Sequence, residues 1–109
     1  MSRAKLSAAC LCVSALGQLI AGCTTKPVDP TSEWSPNKIY AEAKDEASTG
    51  AYEKAIQLYE KLEGRAAGTP LAQQAQLDKA YAHFKAGEPA LATAALDRFM
   101  KLHPASPAI

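Results

Sequence analysis

From Ser35 onward the apolar positions of the chain recur every three or four residues, the spacing of one helix face, and no stretch shows the two-residue alternation of a strand. Ile39, Tyr40, Ala43 and Ala47 mark a first helix, and Tyr52, Ala55, Ile56, Leu58, Tyr59 and Leu62 a second. Leu71, Ala75, Leu77, Ala80, Tyr81 and Phe84 mark a third, and Leu91, Ala92, Ala95, Leu96, Phe99 and Leu102 a fourth. Ser35-Pro36 and Thr69-Pro70 each offer a capping hydroxyl followed by proline at the first helical position, where no backbone N–H is needed. Glu88-Pro89 opens the fourth helix. Gly50 and Gly87 stand where a helix ends in a left-handed residue, the second helix is expected to stop near Gly64, and Pro104 ends the fourth. Asp97 and Lys101 are spaced for an i,i+4 ion pair. The expected fold is all-α, two helical hairpins over residues 35–105, with Ser106-Pro107 in 106–109 starting a further, truncated unit.

The N-terminal third follows other rules. Arg3 and Lys5 precede an apolar stretch from Leu6 to Ile20, broken only by Ser7, Ser14, Gly17 and Gln18. A basic start, a short apolar core and small residues before a cut are the parts of a secretory signal, and the stretch is shorter than the roughly 20 residues that span a bilayer. It closes on Ile20-Ala21-Gly22-Cys23, which resembles the lipobox of bacterial lipoproteins. Cleavage is expected between Gly22 and Cys23. The chemistry needs a thiol to take the diacylglycerol and small neighbours to admit the peptidase. Residues 1–22 are thus expected to be removed, and Cys23 to carry a covalent lipid at the new N-terminus. Residues 23–34, with Pro27 and Pro30 and no helical period, read as the lipidated Cys and its tether. Trp34 has two possible places, against the first helix or at the lipid surface.

Removing 22 of 109 residues leaves 87, enough for one small domain. The cut also takes Arg3 and Lys5, so 10 basic residues face 11 acidic ones, and nothing in the charge attracts nucleic acid. Cys10 and Cys12 fall inside the signal, so the mature chain holds only an alkylated cysteine and builds no disulfide or thiolate metal site. His83 and His103 lie on different helices, with no Cys and no spaced carboxylates beside them, so no catalytic residue, metal or other cofactor is expected. His83 is expected to pack between helices. Asp45, Glu46 and Asp78 read as solvated helix charges.

Successive hairpins invite a search for a period. The hairpin glycines Gly50 and Gly87 are 37 apart, close to the tetratricopeptide period of about 34. Gly50-Ala51-Tyr52-Glu53-Lys54-Ala55-Ile56-Gln57-Leu58-Tyr59 resembles the turn and second helix of that repeat. Gly50 makes the turn, Tyr52 fills the crevice, Ala55 lets the helices approach, and Tyr59 packs on the next unit. The surplus of three falls in the loop Gly64–Thr69 when Pro104 is matched to Pro70. Glu42 and Pro89 depart from the pattern, standing where a large apolar and an aromatic residue are usual. Two units are fewer than the three or so a stable array needs, so the chain looks like a fragment and is expected to be marginally stable alone. Stacked hairpins leave a concave surface lined by the first helix of each pair. The register places Asn37, Tyr40, Lys44 and Ser48 there, with Gln74, Leu77, Tyr81, Phe84 and Lys85, a set suited to an extended peptide. Taken singly, Tyr40, Tyr81 and Phe84 fit a core position equally well.

Three runs carry a closer resemblance: Ser35-Pro36-Asn37-Lys38-Ile39-Tyr40-Ala41-Glu42-Ala43, Gln73 to Ala82, and Leu96-Asp97-Arg98-Phe99-Met100-Lys101-Leu102-His103-Pro104-Ala105-Ser106-Pro107. With the lipobox and short tether they resemble the BamD family, lipoproteins of the outer-membrane β-barrel assembly machinery. The resemblance implies a non-enzymatic scaffold on the periplasmic face of the outer membrane, held in the lipid leaflet through Cys23. Thr24 after the lipidated Cys is compatible with that sorting. Implied partners are the barrel subunit BamA, other Bam-complex subunits and β-barrel client proteins, whose targeting segments the N-terminal repeats would receive. Two departures stand out. Ala67-Gly68-Thr69 lacks the aromatic that relatives often place in this loop, and the later repeats that would meet BamA are absent. Another tetratricopeptide lipoprotein, of pilus biogenesis or envelope division, is the alternative.

Overall fold

A computed structural model describes residues 26–108. The signal segment 1–22, Cys23 and Thr24 lie outside the described residues. Four helices follow one another: α1 (Pro36–Ser48), α2 (Tyr52–Arg65), α3 (Pro70–Lys85) and α4 (Pro89–Leu102). The caps are those the sequence announces. Ser35 Oγ accepts from the Lys38 N–H at 3.2 Å, and Thr69 Oγ1 accepts from the Ala72 N–H at 3.2 Å. Each satisfies an amide that its helix leaves unpaired.

The two hairpin turns are built alike. Gly50 and Gly87 have φ of 85° and 81°, open to glycine and strained for any other residue. The Ala51 N–H returns to the Glu46 carbonyl and the Gly50 N–H to that of Ala47. In the second turn the Glu88 N–H returns to His83 and the Gly87 N–H to Phe84. These crossed bonds satisfy carbonyls the helix end would otherwise orphan.

α2 ends at Arg65, one residue past Gly64, and the left-handed residue of that connection is Gly68, at φ 80°. Two expectations need correction. The three-residue surplus does not lie in the loop. It is nearly one helical turn of α3, which has 16 residues where α1 has 13. Pro104 misleads because it is not the counterpart of Pro70. Ser106-Pro107 is, with Ser106 Oγ already accepting from the Ala108 N–H at 3.2 Å. Asp97 and Lys101 form no ion pair: both are exposed, and the i,i+4 pair among the described residues is Lys38–Glu42 at 3.9 Å.

α2 packs between α1 and α3, α4 packs on α3, and α1 touches α3 lightly. The core lies in the first three helices: Ile39, Ala43, Ala55, Leu58, Tyr59, Leu62, Ala66, Ala72 and Ala75, flanked by Trp34, Tyr40, Ala47 and Leu71. Alanines at these crossings let backbones approach closely, while Tyr59, Ile39 and Leu62 supply the volume. Trp34 therefore takes the packed position of its two, with Lys38 Nζ 4.8 Å from its ring centre. Toward the other end the packing thins, and Leu91, Leu96, Met100 and Leu102 of α4 are each more than 40% exposed. No helix among the described residues is long and apolar enough to cross a membrane.

Candidate functional site

A groove of about 260 Å³ runs between α1 and α3, lined by Lys44, Ala47, Ser48, Tyr52, Tyr59, Asp78 and Tyr81. Lys44, Ala47 and Ser48 are on α1, Asp78 and Tyr81 on α3, and the α2 tyrosines Tyr52 and Tyr59 close its floor. The light contact between α1 and α3 leaves room for it.

Its polar centre is Asp78. Tyr40 Oη donates to Asp78 Oδ2 at 2.8 Å, and Gln74 Nε2 donates to Oδ1 at 3.0 Å from one turn earlier on α3. The carboxylate is thus no mere solvated helix charge. It ties α1 to α3 and keeps further lone pairs for a ligand. Nothing in the spacing of Asp78 announces this, because its partner Tyr40 lies 38 residues away. Glu46 is not free either: it pairs with Lys54 across the first hairpin. Tyr40 and Tyr59 meet with ring centroids 6.2 Å apart and tilted. Burial, and then the bond to Asp78, push the Tyr40 hydroxyl up to about 12. Burial above all, with Asp78 and Tyr40 nearby, raises Tyr59 further.

The residues singled out from the repeat register divide. Lys44, Ser48 and Tyr81 line the groove; half-buried Tyr40 and exposed Gln74 do not line it but hold Asp78. Leu77 is half-buried in α3. Phe84 is one turn beyond Tyr81 and exposed. Asn37 and Lys85 are exposed at the ends of their helices and do not line the groove. Tyr81 and Phe84, at 60% and 62% exposure, are not core residues; Tyr40 is half-buried in the packing. Missing from the register are Tyr52 and Tyr59, which come from the second helix of the unit, and Asp78.

A second cleft, about 210 Å³, opens on the opposite side between α2 and α4. Two of its side chains are already engaged: Lys79 meets Glu63 at 2.6 Å, and His83 Nδ1 lies 2.8 Å from Glu88 Oε2. His83 is therefore held at the α3–α4 turn. His103 packs against Phe99, ring centroids 4.9 Å apart and planes tilted by 50°, with Nε2 3.1 Å from Gln76 Oε1. Among the described residues no three His, Cys, Asp or Glu side chains gather as metal ligands would.

A family profile described as Tetratricopeptide repeat matches residues 26–109. The chain belongs to the tetratricopeptide-repeat family. Its paired antiparallel helices, small residues at the crossings and glycine turns are how this sequence builds the repeat. The chain is also similar to proteins named Outer membrane protein assembly factor BamD. The protein of Neisseria meningitidis serogroup B is 45% identical over 97 residues, covering 84% of this chain and 36% of the relative. That of Neisseria gonorrhoeae is 43% identical over the same shares. That of Vibrio cholerae is 34% identical over 86 residues, 79% of this chain and 35% of its own length. The chain thus spans about a third of the length of the curated relatives it matches.

Proposed function

We propose that this chain is the N-terminal part of an outer-membrane protein assembly factor. In this reading it is a lipid-anchored periplasmic scaffold that binds β-barrel proteins during their folding and insertion. The observation that carries the proposal is the 45% identity to a BamD protein along 84% of the chain, which spans the helices that form the groove. The shared name of the relatives favours this reading over a pilus or division lipoprotein.

The groove gives the reading a mechanism. An extended peptide exposes amide N–H groups and alternating side chains. Asp78, preset by Tyr40 and Gln74, accepts an amide N–H, and Lys44 offers a cation on the facing wall. Tyr81 and Phe84 present two exposed rings to an apolar or aromatic side chain, where burial contributes about 25 cal/mol per Å². Binding needs no bond to be made or broken, so no catalytic residue or cofactor is assigned. Cys23 supplies the anchor, and other Bam-complex subunits are the expected partners beyond the client.

A photo-crosslinking residue placed at Tyr81 or Phe84 should capture a barrel-protein C-terminal peptide, and one at Asp97, on the outer face of α4, should not. Equal capture at all three, or none, would sink the groove as the client site. Radiolabelled palmitate should enter the wild type and not Cys23→Ala; incorporation into both would remove the anchor.

A further inference from the structure

Residues 29–34, which composition places in the tether, are folded onto α2. Asp29 is the centre of this knot. Its Oδ1 accepts from the Thr31 N–H at 2.9 Å and from the Thr31 hydroxyl at 2.7 Å, closing a local turn. The same oxygen accepts from Lys61 Nζ at 2.8 Å. Arg65, one turn further along α2, donates to the Thr31 carbonyl and, at 3.2 Å, to the Trp34 carbonyl. Its guanidinium also lies 3.8 Å from Asp29 Oδ2. Thr31 is 4% exposed, and Trp34 packs on the core. A solvated linker has none of these fixings.

The position of the knot matters as much as its strength. It sits where α1 begins and α2 ends, the open end of the hairpins. The Gly50 and Gly87 turns are at the other end, about 20 Å away by the rise of the 14-residue α2.

We infer that Asp29, Thr31, Lys61 and Arg65 form a clamp that shortens the leash between the membrane anchor and the domain and keeps the open end of the hairpins toward the bilayer. The inference rests on the reading of Cys23 as the lipidated residue. From Cys23 to Asp29 the chain can reach at most about 20 Å, whereas a leash running free to Ser35 would reach about 40 Å. A leash of the second length exceeds the length of the helices and lets the domain turn over. One of the first length does not. The clamp thereby decides which end of the groove walls faces the membrane.

Trp34 is the only tryptophan of the chain, so its emission reports the knot directly. Asp29→Ala removes the centre of the clamp without touching a helix, and the helical circular dichroism should be unchanged. The lipidated full chain is placed in vesicles of phosphatidylethanolamine and phosphatidylglycerol carrying a headgroup acceptor dye. A donor is attached at Ala67→Cys, at the open end, or at Ala86→Cys, at the turn end; both sites are exposed. In the otherwise wild-type protein, transfer from position 67 should exceed transfer from position 86. Asp29→Ala should bring the two values together and red-shift Trp34, and Lys61→Ala with Arg65→Ala should do the same. Equal transfer from the two sites at the outset, or transfer and emission unchanged in Asp29→Ala, would overturn the clamp. A wild type that does not float with the vesicles would overturn the anchor, and the leash with it.

Discussion

The two hairpins have the same turns and the same helix order, yet they are held together differently. The α1–α2 hairpin buries Ile39, Leu58, Tyr59 and Leu62, and is closed at its outer edge by the Asp29–Trp34 knot. The α3–α4 hairpin buries mostly alanines, with Phe99 as its large anchor, and shows Leu91, Leu96, Met100 and Leu102 to solvent. The lesson is in equivalent positions. Tyr59 and Leu96 are 37 residues apart, one period of the hairpin turns, but Tyr59 is 1% exposed and Leu96 43%. What differs is the neighbour: α3 covers Tyr59, and no described helix covers Leu96. In a repeat fold a residue's energetic weight is set by the next unit as much as by its own.

The largest expected effect tests that contrast. Tyr59→Ala should cost about 3–5 kcal/mol, the range for emptying a large aromatic site in a core, and Leu96→Ala less than about 1 kcal/mol. Urea melts followed by helical circular dichroism would compare them. Similar losses at the two sites would mean that α4 is covered in solution and that the contrast is false. Next in size are the ion pairs. Lys79 and Glu63 meet at 2.6 Å with side chains only 13% and 15% exposed, joining α3 to α2. Lys79→Ala leaves a largely desolvated carboxylate without its partner and should cost about 1–3 kcal/mol, discounted from the fully buried case for the remaining solvent. Lys54→Ala removes a pair to Glu46 from a lysine side chain 65% exposed and should lower the urea midpoint much less than Lys79→Ala does. If the two variants melt together, the junction between hairpins gains nothing from its buried pair.

Much of this fold is written locally. Cap, proline, apolar face and glycine each act within a few residues, so the helices and both hairpin turns can be read from Ser35-Pro36, Thr69-Pro70, Gly50 and Gly87. Errors arise where a local signal meets a tertiary one. Residues 29–34 look like linker because Asp, Pro, Thr and Ser suit turns, and the cations that fix them lie some 30 residues away on α2. The groove is half legible for the same reason. Helical register marks Lys44 and Tyr81, but the role of Asp78 depends on Tyr40, which only the crossing of α1 and α3 brings near.

A smaller effect should be the same in both hairpins. Gly50→Ala and Gly87→Ala meet no atom within 4 Å, so the cost is that of the left-handed backbone alone, about 1 kcal/mol each. Matching shifts in urea midpoint would show that the hairpins differ in packing and not in their turns. A Gly87→Ala effect much the weaker would mean that the second turn is already loose.

The gentlest probe separates the hairpins by pH. Tyr40 is raised from 10.0 to about 12 in the folded chain, chiefly by burial and then by its bond to Asp78. A hydroxyl whose folded value lies above its unfolded one contributes stability that is complete below the unfolded value and is lost as pH rises through the folded one. Between about pH 10 and 12 the first hairpin should therefore weaken through Tyr40, with Tyr59 raised beside it. Tyr40→Phe removes one hydrogen bond and should cost about 1 kcal/mol at neutral pH. Its melting midpoint should then fall less steeply than that of the wild type across this alkaline window, because one of the two raised hydroxyls is gone. If the variant and the wild type fall in parallel, the Tyr40–Asp78 link does not join α1 to α3 in solution, and the polar centre of the groove is not preset.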